Sequence, residues 1–218
     1  MLNHHPHIQP IRVLLVDDHP AVRIGMRKLI DDQPDMHIVT EAASAREAIG
    51  RSDGSCDVAI VDYHLGGAED GLWLTTELKR IEPPPRVLVY SAFADGALAV
   101  NAVIAGADGL LGKHELGEEV CSAIRRLARG QHNLPAVTPS IADTMRYRLA
   151  PEDHALFGLL LHGLSADAIA QELEIAPDEL AARRAAMLRA LSPARYDPTS
   201  RTPLDYERPR RRSSRRAA

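Results

Sequence analysis

The run Val13-Leu14-Leu15-Val16, broken off by Asp17 and Asp18, constrains this chain more than any other stretch. An apolar run of that length, rich in Val and Leu, is expected to be a strand buried on both faces. In an open α/β sheet, ligands gather at the carboxyl ends of the strands, where these two acids would stand. Adjacent carboxylates repel one another, and a divalent cation relieves that repulsion. A set of carboxylate oxygens, with no cysteine or histidine counted among the ligands, favours magnesium.

The same pattern recurs along the chain. Asp57-Val58-Ala59-Ile60-Val61 ends in Asp62, Arg86-Val87-Leu88-Val89-Tyr90 ends in Ser91, and Gly109-Leu110-Leu111 leads through Gly112 to Lys113. If these strands are parallel, Asp17, Asp18, Asp62, Ser91 and Lys113 converge on one edge. The matching chemistry is phosphoryl transfer to a carboxylate, with Asp62 as nucleophile, since a carboxylate can form an acyl phosphate. Asp17, Asp18 and Asp62 would hold the magnesium, which neutralises phosphoryl oxygens. Ser91 would donate a hydroxyl hydrogen bond to the phosphoryl group and Lys113 would supply a cation.

In order and spacing, these residues resemble the receiver domain of two-component response regulators over residues 11–130. The resemblance implies a five-stranded, doubly wound parallel sheet, with a phosphoryl group delivered by a sensor histidine kinase and lost by hydrolysis. It makes Asp62 the phosphoacceptor, and Ser91, Lys113 and Leu110 the phosphate-binding and switch positions. A phosphatase of the haloacid dehalogenase type also uses an aspartyl nucleophile and magnesium. It wants two Asp separated by one residue, which Asp17-Asp18-His19 does not supply.

Two departures from the receiver pattern stand out. Leu110 lies where the family carries Tyr or Phe, so a shallower switch is expected. His64 and Phe93 flank the phosphoryl position, and a screening ring at Phe93 predicts a long-lived phosphorylated state. The rest of this region is regular. Helices are expected from Pro20, with Val22, Met26, Leu29 and Ile30 on one face, and from Ser44-Ala45-Arg46-Glu47, which has the capping-box form. Others end before Pro83-Pro84-Pro85 or run over Gly96–Gly106 and Gly117–Arg129.

After a linker at 131–148, residues 149–191 carry no strand signal and fall into three helical blocks, a small all-α domain of helix-turn-helix form. Leu149-Ala150-Pro151-Glu152, Gly163-Leu164-Ser165, Ile169-Ala170, Leu173 and Ile175 resemble the LuxR-type output domain of NarL- and FixJ-like regulators. The resemblance implies DNA binding through Arg183, Arg184 and Arg189. The groove-facing positions, however, are Asp178, Glu179, Ala181, Ala182, Arg183, Ala185 and Ala186, which offer little for reading bases. Seven acids against three arginines give this module a net charge of −4. Residues 192–218 carry eight arginines against three acids, a net of +5, and are expected to be a disordered tail able to contact phosphates.

The remaining features bound the setting. Residues 1–10 are expected to be a flexible leader. Two distant cysteines and short apolar runs fit a reducing cytoplasm with no membrane span. The chain is thus expected to be a cytoplasmic response regulator, homodimeric when phosphorylated and acting on DNA. The alternative is a phosphorylation-switched protein-interaction module that no longer reads DNA.

Overall fold

The protein is represented by a computed structural model that describes residues 9–52, 54–67 and 69–191. The leader up to residue 8 and the tail 192–218, with its basic run, lie outside the described residues.

Five strands alternate with five helices in the first part: β1 Ile11–Val16, α1 Pro20–Asp31, β2 Met36–Ala42, α2 Ala45–Arg51, β3 Val58–Asp62, α3 Gly71–Leu78, β4 Arg86–Ser91, α4 Gly96–Ala105, β5 Gly109–Gly112 and α5 Gly117–Ala128. All strand pairs are parallel, in the order β2-β1-β3-β4-β5. The sequence directly marked four of these strands. The fifth, β2, is an edge strand with half-exposed positions, so it lacks a continuous apolar run.

Alternation along β1 divides the core. Val13 and Leu15 face α1 and α5, packing with Met26, Ile30, Val120, Ile124 and Leu127. Leu14 and Val16 face α2 and α3, packing with Ala45, Ala48, Leu74 and Leu78. Each fully buried Leu or Ile contributes about 1.5–3 kcal/mol by transfer from water. Ser44 caps α2, accepting from the Glu47 amide at 3.2 Å, while Glu47 Oε2 accepts from the Ala43 amide at 2.6 Å. At the opposite end of the sheet from the acids, Asp108 binds Lys79 at 2.5 Å, Arg86 at 2.7 Å and the Val87 amide at 2.8 Å. Burial raises the Asp108 pKa, but these partners more than offset it and hold the carboxyl below its usual range.

The second part is helical: α6 Pro139–Arg146 within the expected linker, a 3-10 turn Pro151–Asp153, α7 His154–Leu161, α8 Ala166–Glu172 and α9 Pro177–Leu191. Ser165 caps α8 by accepting from the Ala168 amide at 3.2 Å. Between α8 and α9 the chain turns through Glu174, which has φ +53°, a left-handed conformation that is costly for a residue with a Cβ. These helices join α4 in one apolar cluster.

Candidate functional site

Strand order places the site. The sheet reverses direction of growth between β1 and β3, and the crevice at such a switch point is where open α/β sheets bind ligands. Val16 pairs with Val61, so Asp17 and Asp62 follow side by side. Ser91 pairs with Gly112, and the Lys113 amide donates to the Ser91 carbonyl at 2.7 Å. Register thus delivers four of the five expected polar residues to one edge, and Asp18 follows Asp17.

The centre of the cluster is Lys113. Its Nζ lies 2.7 Å from Asp17 Oδ2 and 2.9 Å from Asp62 Oδ2. Asp17 and Asp62 are buried, and Lys113 is one-fifth exposed. Burial raises the Asp62 pKa above the ordinary carboxylate range, with Asp17 adding repulsion and Lys113 opposing it. Burial lowers the Lys113 pKa, but the hydrogen bond to Asp17 and the close Asp62 carboxylate more than reverse this, leaving it raised. The ammonium also lies 5.8 Å from the centre of the Tyr90 ring.

Carboxylate oxygens of Asp17, Asp18 and Asp62, together with a His19 ring nitrogen, lie within 4.8 Å of one another. Asp62 Oδ2 is buried and faces Lys113 without a well-aligned hydrogen bond. The three carboxylates therefore fit a hard divalent cation in both chemistry and spacing. His19, left out of the ligand set in the sequence reading, lies beside it. Its Nδ1 is 2.6 Å from Asp18 Oδ1, and its amide donates to Asp17 Oδ1 at 2.8 Å.

Other supports carried no signal in their spacing. The Gly66 amide donates to Asp18 Oδ2 at 3.0 Å, and Arg23 donates to the Asp17 carbonyl at 2.6 Å. Gly71 opens α3 directly against β3, where a Cβ would strike the Asp62 carbonyl. Glycine there lets α3 pack against the strand that presents Asp62.

The flanking positions are less engaged. Ser91 is fully buried, with Oγ 3.2 Å from both the amide and the carbonyl of Phe93. Leu110 is buried in the cluster that contains α4. The Phe93 ring is 75% exposed, so in this conformation it does not provide the expected screen. His64 is exposed, its ring edge-on to Tyr63 at 4.4 Å between centroids.

The three arginines expected at DNA all lie on α9 and meet different surroundings. Arg183 Nε lies 3.5 Å from Asp153 and 3.9 Å from Glu179. Arg184 turns away from solvent and donates from Nε to the Ile104 carbonyl of α4 at 2.6 Å. Burial lowers its pKa. Arg189 is exposed near the end of α9.

Comparison with known proteins agrees with this geometry. Residues 13–147 match the model of the response regulator receiver domain. The chain belongs to the response regulator receiver family. Relatives extend beyond the receiver. The nitrate/nitrite response regulator NarL of Escherichia coli K12 is 30% identical over 179 residues, 77% of this chain and 82% of NarL. The response regulator VraR of Staphylococcus aureus is 31% identical over 140 residues, 64% of this chain and 65% of VraR. Among solved structures, a LuxR-family response regulator from Aurantimonas is 32% identical, with a TM-score of 0.55, and the match covers 62% of this chain and 94% of that one. A likeness of fold alone, at 21% identity and a TM-score of 0.56, links 84% of this chain to 92% of RcsB in a structure with DNA. Membership of the receiver family implies a histidine kinase partner. Among the described residues of this receiver protein, no helix is long and apolar enough to cross a membrane.

Proposed function

We propose that this receiver accepts a phosphoryl group on Asp62 and thereby controls a DNA-binding, transcription-regulating helix-turn-helix. The observation that carries the reading is Lys113 Nζ set between Asp17 and Asp62, at 2.7 and 2.9 Å. An Asp62 oxygen attacks phosphorus and forms the acyl phosphate. The P–N bond to the kinase histidine breaks, and the imidazole leaves, taking up a proton. Lys113 then moves its charge from the free Asp62 carboxylate to a phosphoryl oxygen, and the Ser91 hydroxyl donates to another. Asp17, Asp18 and Asp62 would hold magnesium, which would supply positive charge against the phosphoryl oxygens. Attack by water on phosphorus releases phosphate and restores the Asp62 carboxylate, with no dedicated enzymatic turnover.

For output, α8, the turn at Glu174 and α9 supply the helix-turn-helix, and kinship to NarL favours this reading over a protein-interaction module. Arg183, Arg184 and Arg189 are its candidate DNA contacts. Two of them are engaged within the chain in the described arrangement, so DNA binding requires α9 to be freed. Phosphorylation promotes a homodimer that presents two such helices. The protein acts in the cytoplasm.

The site is tested by incubating the protein with acetyl phosphate and magnesium, reducing with borohydride and mapping by peptide mass spectrometry. Borohydride converts an aspartyl phosphate to homoserine, and we expect homoserine at position 62. Homoserine at 17 or 18 instead, or at no position, rejects Asp62 as the acceptor.

A further inference from the structure

The boundary between the receiver and its output helices does not follow the edge of a packed core. Leu98, Ala99, Ala102 and Ala105 of α4 share one continuous apolar cluster with Leu156, Phe157, Leu160, Ile169, Leu180 and Met187 of α7–α9. Helix α4 packs against α6, α7 and α9, and its contact with α9 is more extensive than that of α8. Seven of the residues in α4 are buried, so it has almost no solvent face. An outer helix on a sheet normally keeps a polar stripe, and α4 (Gly96-Ala-Leu-Ala-Val-Asn-Ala-Val-Ile-Ala105) has no charged residue.

Among the described residues, the three helices that follow α6 are correspondingly thin. They span residues 154–191, and two of them are only two turns long. The described part of this unit, roughly 40 residues without disulfide or metal, sits at the lower limit for independent folding.

A directional bond fastens the seam. The last carbonyls of a helix have no partner within it and carry the negative end of its dipole. Ile104 presents such a carbonyl, and the Arg184 guanidinium of α9 donates to it at 2.6 Å. Gly106 ends α4 with φ +89°, and a Cβ there would meet the same guanidinium. A side chain at this position would push the guanidinium aside. The partner of Arg184 lies eighty residues away in the sequence.

We infer that α4 is a shared helix: its outer face completes the core of α7–α9, which lose stability when they leave the receiver, and Arg184 fastens the two. Any signal reaching α4 then acts on the folding of the output helices, not on the swing of a rigid module. Such a signal has a short route, since Ser91 is joined to the start of α4 by residues 92–95. At that end, Gly96 lies so close to Ile141 of α6 that a Cβ would clash. The inference concerns packing alone and stands whether or not DNA is the ligand.

Native-state hydrogen exchange by mass spectrometry on the full chain tests it, using Arg184→Met and Phe157→Ala. Arg184→Met keeps the apolar stem and removes the bond; Phe157→Ala perturbs the seam from the output side. In each variant we expect protection of α4 and α7–α9 to fall together, by about tenfold or more, with β1 and β3 unchanged. Arg184→Lys, which keeps a cation near Ile104, should fall between the wild type and Arg184→Met. Phosphate uptake at Asp62 reports separately that the receiver remains folded. If α7–α9 keep wild-type protection in Arg184→Met, or α4 keeps it in Phe157→Ala, the output helices have a core of their own and the inference is overturned.

Discussion

Asp62→Asn takes up no phosphate and melts above the wild type at neutral pH. An amide cannot form the acyl phosphate, so incorporation from acetyl phosphate falls to background. The stability gain follows from the raised pKa of Asp62, which burial causes first and repulsion by Asp17 increases, against the attraction of Lys113. A carboxyl whose pKa is higher in the folded state stabilises the fold fully only below its unfolded value, near 3.9. That contribution is lost as pH rises through the higher folded value, so at pH 7 the charge is a net cost. Removing it gains on the order of 1 kcal/mol, roughly 2–4 °C in Tm for a chain of this size. The advantage should shrink below about pH 4, where wild-type Asp62 is also neutral. Paired calorimetric scans at pH 7 and pH 3.5 check this. A lower Tm for the variant at pH 7 would mean that the Lys113 attraction outweighs burial.

Lys113→Met should lower stability and phosphate uptake together. It leaves Asp17 and Asp62 buried without the cation that lies within 3 Å of both. Breaking a buried pair by removing one partner costs about 3–5 kcal/mol. The lower end applies here because the pocket opens to solvent at Asp18 and His19, so Tm should fall by roughly 6–12 °C. A divalent cation replaces part of the missing charge, so millimolar magnesium should raise the Tm of this variant more than that of the wild type. Uptake stays depressed even with magnesium, since no side chain then follows charge from Asp62 to the phosphoryl oxygen. Thermal shift and uptake assays across a magnesium series separate the two effects. An unchanged Tm without magnesium would show that Lys113 is not what holds the acids together.

The receiver was largely legible in the sequence because its information is local. Buried parallel strands produce uninterrupted apolar runs, and the residue ending each run is carried to the sheet edge by register. Strand β2 escaped direct reading because an edge strand needs no such run; its place came from family resemblance. His19, Gly66 and Gly71 escaped because their roles come from close approach: a ring beside Asp18, an amide on Asp18 and a glycine against the Asp62 carbonyl. The Phe93 ring was expected over the phosphoryl position, and nothing in residue type could show that it faces solvent. The output half was legible in its helices and their caps, such as Ser165. The destination of Arg184 was not, because its partner is a backbone carbonyl on another module, and carbonyls carry no sequence signature.

The central claim is that phosphorylation of Asp62 governs access of α9 to DNA. The most direct measurement is recovery of genomic DNA fragments by the 218-residue chain, with and without acetyl phosphate and magnesium, at near-physiological salt. The account predicts enrichment of a small set of sequences only after phosphorylation, and none with Asp62→Asn. Equal recovery in both states, or no enrichment from fully phosphorylated protein, would contradict it.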